Sequence, residues 1–259
     1  MEKKILLLAV VLSVTCLCSS EVMGLDMLGP PASTLVKGET SIGLAYFTGQ
    51  MDLDVEMTSS SSVLARGQFD GVKQQRAFVD ISHGITDNID IFGRIGGSRL
   101  EIHEYAWFDG SDHIFDGDMG LAIGGGLRGT IYEHNSTKFG AVGLLNWSRT
   151  EDQRQAVFGQ PYTSATIDYY ELMLALGVVH QLSQNVNIYG GPFLYWLKGD
   201  LDGKGTDSPM KLSGDIEEDG NFGGYVGGEF KVTDNWSLLA EFQLANAASG
   251  FGISGVWRF

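Results

Sequence analysis

Met119-Gly120-Leu121-Ala122-Ile123-Gly124-Gly125-Gly126-Leu127-Arg128-Gly129-Thr130-Ile131 is the stretch whose reading decides the fold. Taken alternately, Met119, Leu121, Ile123, Gly125, Leu127, Gly129 and Ile131 fall on one face. Gly120, Ala122, Gly124, Gly126, Arg128 and Thr130 fall on the other. A period of two puts the two sets on opposite sides of a β-strand, whereas a helix would scatter both around its axis. Phe222, Gly224, Val226, Gly228 and Phe230 alternate in the same way with Gly223, Tyr225, Gly227, Glu229 and Lys231. So do Trp236, Leu238, Ala240, Phe242 and Leu244 with Ser237, Leu239, Glu241, Gln243 and Ala245.

Extended along the chain, this pattern predicts ten strands: 39–48, 73–83, 89–101, 118–132, 138–150, 165–181, 186–198, 220–232, 236–245 and 251–259. Four connections are short and rich in residues that tolerate left-handed turn conformations: 84–88, 133–137, 182–185 and 233–235. Thr86, Ser136, Ser183 and Thr233 in these turns are spaced by 50, 47 and 50 residues, so each unit is one hairpin plus one long connection. The long connections, 49–72, 102–117, 151–164 and 199–219, are polar and read as loops, with a brief fifth at 246–250. Short turns at one end, long connections at the other and an even strand count mark a transmembrane barrel, whose tilted strands need about 9 to 11 residues each to cross a bilayer. In hydrocarbon no backbone N–H or C=O can go unpaired, so a sheet with an apolar outer face must close on itself. The predicted fold is all-β: a transmembrane antiparallel up-and-down β-barrel of about ten strands, within a range of eight to twelve, over residues 39–259.

Composition agrees by exclusion. The 259 residues include 17 basic and 32 acidic side chains, a formal charge of −15, which leaves little to neutralise nucleic-acid phosphates. An apolar fraction of 43% with 11% aromatics can bury far more surface than a disordered chain does. Beyond the N-terminus no run approaches the roughly 20 apolar residues of a membrane helix.

The N-terminus pairs Lys3 and Lys4 with an apolar stretch from Ile5 to Leu17 and small residues at Cys18, Ser19 and Ser20. This reads as a signal peptide over 1–20, with cleavage as late as Gly24 as the alternative. Its apolar stretch is shorter than the roughly 17 to 25 residues of a spanning helix. Both cysteines, Cys16 and Cys18, lie inside it, so the mature chain has no disulfide and depends on a closed sheet or a large core. Residues 21–38, with Pro30-Pro31 and no period, read as a periplasmic N-terminal segment.

The chain ends Phe251-Gly252-Ile253-Ser254-Gly255-Val256-Trp257-Arg258-Phe259. With Phe251, Ile253, Gly255, Trp257 and Phe259 on one face, this segment resembles the C-terminal strand of bacterial outer-membrane β-barrel proteins. Among them the chain is most similar to the small opacity and OmpA/OmpX-like barrels, although those commonly have eight strands. The resemblance implies residence in the outer membrane with both termini in the periplasm. It also implies contact with outer-membrane lipids, and with the barrel-assembly machinery through those five residues. No cofactor and no nucleic-acid partner are expected, and the oligomeric state is left open.

In such a barrel Tyr46, Trp147, Trp196, Trp236, Trp257 and Phe259 stand near strand ends as interfacial girdles. The opposite, lumen-facing set carries Asp80, Asp90, Arg94, Arg128, Glu171, Glu229, Lys231, Glu241 and Arg258. In a narrow interior these charges must pair, as a structural network, or else line an ion path. Bulky Phe92, Tyr189, Phe193 and Tyr195 on that face favour a filled interior, whereas Gly120, Ala122, Gly124 and Gly126 leave room.

The long connections hold clustered carboxylates: Asp109, Asp112 and Asp116 in the second, and Asp200, Asp202, Asp207, Asp215, Glu217, Glu218 and Asp219 in the fourth. They are candidates for divalent cations, but Lys204 stands where a calcium loop needs a ligand, so a solvated acidic face is the simpler reading and no metal site is assigned. Together the four connections carry 17 acidic and four basic residues, which puts −13 of the net −15 at one end of the barrel. A hydrolase at the rim would resemble either the lipid A-modifying barrel enzymes, which use Ser and His, or the ten-stranded omptin proteases, which use paired Asp and Asp/His groups. The nearest echoes here are Asp52-Leu53-Asp54 and Glu101-Ile102-His103, with Glu101 where an omptin-like pair has Asp, and no catalytic residue is assigned. The function expected is therefore non-catalytic: a structural or surface barrel, with a narrow porin-like passage for small solutes or ions, or adhesion or ligand binding through the long acidic loops, as variants.

Overall fold

The computed structural model describes residues 25–59, 62–105, 112–152, 162–205 and 211–259. The predicted signal peptide, Asp109 and Asp207 lie outside these residues, as do the side chains of His103, Asp112 and Asp219. The strands are β1 (Thr40–Ser59), β2 (Ser62–Thr86), β3 (Ile89–Tyr105), β4 (Asp112–Asp116), β5 (Gly120–His134), β6 (Thr137–Asp152), β7 (Tyr162–Ser183), β8 (Val186–Gly205), β9 (Lys211–Lys231), β10 (Trp236–Ala245) and β11 (Ala248–Arg258). Ten of them form a closed antiparallel ring in chain order, with β2 paired to β3 and β11 returning to β1. β4 continues the line of β5: β3 pairs with β5 from Ile89 to Ser98 and with β4 from Glu101 to Tyr105. Thr40 and Phe259 close the seam, each amide donating to the other's carbonyl at 3.1 and 2.9 Å.

Alternation sorts the side chains as the sequence predicts over the membrane belt. Leu44, Ile81, Ile91, Ile95, Leu121, Leu127, Leu174, Val226 and Ile253 are exposed on the outer wall. Tyr46, Trp196, Trp257 and Phe259 stand exposed above and below them. Phe251, Ile253, Gly255 and Trp257 share the outward face of β11, where the strand also pairs with β10.

The four long connections are corrected by the structure. Over their described residues they are mostly strand, so β1, β2, β7, β8 and β9 run for 20 to 25 residues. The alternation continues past the belt with its polarity inverted. Leu53, Val55, Phe69, Leu100, Ile102, Phe115, Ile167, Leu197, Leu201 and Ile216 face inward and are buried, while Asp54, Asp200, Asp202, Asp215 and Glu217 face outward. Above the bilayer the outer wall meets water, so the apolar set belongs inside and the charges that suggest loops sit on the solvent side of strands.

Candidate functional site in the barrel lumen

Residues 25–38, expected as a periplasmic tail, turn at the short-turn end and run back into the ring. Leu25, Asp26, Met27, Leu28 and Ala32 are at most 5% exposed. At the rim the Lys37 amide donates to Asp87 at 3.1 Å and the Gly38 amide to the Gly84 carbonyl at 2.8 Å. Further in, Asp90 receives Ser33 Oγ at 2.6 Å and the Thr34 amide at 2.7 Å. The Pro30 carbonyl accepts from Arg128 at 3.4 Å. A side chain at Gly140 would come within 2.6 Å of the Pro31 carbonyl, so a glycine in β6 makes the seat for Pro30-Pro31.

Glu241 clamps the segment by accepting the Leu28 amide on one carboxylate oxygen at 2.9 Å and the Gly29 amide on the other at 2.8 Å. Gln243 donates to the Asp26 carbonyl at 2.7 Å. Asp26 itself lies between two guanidiniums, with Arg76 and Arg94 each 3.1 Å from its Oδ2, and Asn146 donates to the same oxygen. Arg76 pairs further with Glu171, and Arg94 with Asp80 at 3.0 Å. Arg76 also donates to the Tyr169 hydroxyl at 3.2 Å, and its guanidinium stands 5.5 Å from that ring. Buried charges persist only when paired and hydrogen-bonded, and here the partners come from β2, β3, β6, β7, β10 and the threaded segment together.

All nine charged residues assigned to the lumen face the interior side of their strands, but they fall into separate groups. Asp80, Arg94 and Glu171 join the Asp26 cluster. Asp90, Arg128 and Glu241 hold the threaded segment directly. Arg258 and Glu229 form a third pair at 2.5 Å near the seam, and Lys231 takes no part in the ion pairs seen among the described residues. Sequence reasoning missed the two central groups, Arg76 and Asp26. Arg76 shares the inward register of β2 with Phe78 and Asp80, so alternation contained the signal; Asp26 lies in a segment without a period and gave none.

In the turn half a cavity of about 60 Å³ lies between the threaded segment and the wall, bordered by Asp80, Arg94, Arg128 and Arg258. In the extended half Phe47, Met51, Leu53, Phe69, Leu100, Ile167 and Leu201 pack into one apolar cluster that continues down to Phe193 and Tyr195. Gly124 and Gly126, expected to leave room, face the Asn146 side chain and the Phe92 ring.

The other candidate groups are on the outside. Asp54 and Glu101 lie on β1 and β3 with β2 between them, which separates their strands by roughly 10 Å. Glu101 pairs with Arg99 at 3.1 Å. Among the described residues no three acidic or histidine side chains converge to hold a metal ion.

A closed ring with an apolar belt, girdles at both edges and a lumen of paired charges defines a transmembrane β-barrel of the outer-membrane type. Over residues 92–259 the chain matches the family described as the outer membrane protein beta-barrel domain, and it belongs to that family. No curated protein matches it in sequence. Among solved structures it is similar to the outer membrane protein OprG of Pseudomonas aeruginosa, with 11% identity and a TM-score of 0.53 over 90% of this chain and 99% of that one. It is also similar to the outer membrane protease OmpT of Escherichia coli, with 10% identity and a TM-score of 0.49 over 91% and 99% of the two chains. The toluene transporter TbuX of Ralstonia pickettii follows, with 10% identity and a TM-score of 0.40 over 90% and 92%. The likeness to OprG shows the fold alone.

Proposed function

We propose that the protein is a closed, non-conducting surface barrel whose working part is the acidic wall that stands beyond the membrane. The observation that carries this reading is the filling of the lumen by two means in series, the segment 25–35 in the turn half and the apolar cluster in the extended half. In the proposed orientation the short turns and both termini face the periplasm and the extended half faces the exterior. The β11 residues Phe251, Ile253, Gly255 and Trp257, with the terminal Phe259, serve as the contact for the assembly machinery.

The extended wall is suited to cationic partners. Asp168 opposes Asp200, Asp200 opposes Asp215, and Asp215 opposes Glu56, so four adjacent strands bring four carboxylates into one row. Like charges directly opposite each other cost stability, and their summed field attracts cations and basic surfaces within a Debye length of about 8 to 10 Å. Recording from planar bilayers tests the closed lumen. The reading predicts no conductance steps across a wide range of voltage and salt, and reproducible unitary steps would return the protein to the porin-like class.

A further inference from the structure

The wall is irregular where the short β10–β11 hairpin meets β1. The β10–β11 hairpin is built from strands of 10 and 11 residues, whereas its neighbours β9 and β1 have 21 and 20. Above the hairpin tip β1 leaves β11, at the pair Met51 and Ala248, and joins β9 from Asp54 opposite Glu217 onward. At the same height the other edge of β1 meets a bulge in β2. Met51 opposes Val72 and Leu53 opposes Phe69, so Asp52 alone faces Asp70 and Gly71. Gly71 has φ +67°, a left-handed conformation that suits glycine in such a bulge. Asp52 fixes both features: its carboxylate accepts the Gly71 amide at 2.8 Å and its own amide donates to the Ala247 carbonyl at 3.0 Å.

Between the bulge and the hairpin tip lies an open cleft of about 680 Å³. Its polar lining is Gln50, Asp52, Asp70, Lys73, Asn246 and Ser249. Leu244, also in the lining, is 58% exposed and starts the apolar belt, which continues below through Phe242, Tyr46 and Ile253. A cleft of this size is in the range of small-molecule sites, roughly 300 to 1,000 Å³. Its place selects an amphiphile, with the polar head in the cleft and the chain along the belt. Its chemistry selects the head. Two carboxylates against one ammonium disfavour a phosphate, while carboxylate acceptors beside amide and hydroxyl groups suit vicinal hydroxyls.

We propose that this cleft binds the neutral, hydroxyl-rich glycosyl headgroup of an amphiphile in the adjoining membrane leaflet. The site is independent of whether the lumen conducts. The test uses the folded full-length barrel in amine-oxide micelles, titrated separately with dodecyl maltoside, free maltose and dodecylphosphocholine, and read by amide NMR shifts. Saturable shifts at Gly71, Asn246 and Ala247 are expected with the maltoside. Maltose should move the same amides at concentrations at least tenfold higher, and the phosphocholine should leave them in place. Asp70→Asn and Asn246→Ala, each checked for unchanged heat-modifiable mobility, should weaken maltoside binding about tenfold. Shifts spread evenly around the belt, equal shifts with phosphocholine, or binding unaffected by both variants would overturn the site. Maltose binding as tightly as the maltoside would overturn the membrane source in favour of a free saccharide.

Discussion

The two halves of the lumen are filled by opposite chemistry. In the turn half the wall presents charges and the chain returns its own N-terminal segment to meet them, through Asp26, the amides of Leu28 and Gly29, and Ser33. In the extended half the wall presents Phe47, Leu53, Leu100 and Ile167, and fills the space with its own side chains. The difference follows from what lies outside. Within the belt the outward positions are committed to lipid, so polar residues can only face in, and ten strands enclose too little water to leave them solvated. Above the belt the outward positions meet water, and the same alternation gives a water-soluble wall around an ordinary apolar core. One sheet therefore changes from an inside-out to a conventional protein along its own strands, close to the level of Arg76, Ser98 and Tyr169.

That contrast can be broken most severely at Asp26. Asp26→Ala leaves Arg76 and Arg94 buried without their shared carboxylate, and removal of one partner from a buried ion cluster costs about 3 to 5 kcal/mol. Unfolding in urea, followed by loss of heat-modifiable mobility, should show a lower midpoint. In the extended half Leu100→Ala removes a side chain that is 2% exposed and should cost about 2 to 4 kcal/mol by the same measurement, through a cavity and not through charge. Glu241→Gln keeps the shape but weakens the clamp on two amides, a loss of about 1.5 to 3 kcal/mol, and thermal melts should place it between the core variant and wild type. Asp200→Asn sharpens the comparison from the opposite side. Removing one carboxylate from the exterior row relieves repulsion and should stabilise the extended half by about 0.2 to 1 kcal/mol, an effect that shrinks with added salt.

The closed ring and the facing of its side chains were legible because lipid outside and protein inside impose a strict period of two. Met119 to Ile131 shows it, and Gly125 and Leu127 fall on the lipid side while Arg128 points in. The upper strands were concealed by their charges. Met51, Leu53 and Val55 alternate as clearly as any belt strand, but Asp52, Asp54 and Glu56 between them suggest a loop when polarity is weighed above period. The threaded segment could not be read at all. Its contacts are single hydrogen bonds and one carboxylate, at spacings set by the path of an irregular chain, and no local pattern announces that Asp26 will meet arginines 50 and 68 residues away.

Amide hydrogen exchange at Leu28 and Gly29 in the folded barrel tests the filled lumen most directly. The Glu241 clamp predicts that both amides are protected to a degree comparable with the strand amides of β10, and that Glu241→Gln lowers their protection while leaving that of β10 intact. Exchange at the rate of an unstructured peptide in the wild-type barrel would contradict the account, because the N-terminal segment would then stand outside and the lumen would be open through its lower half.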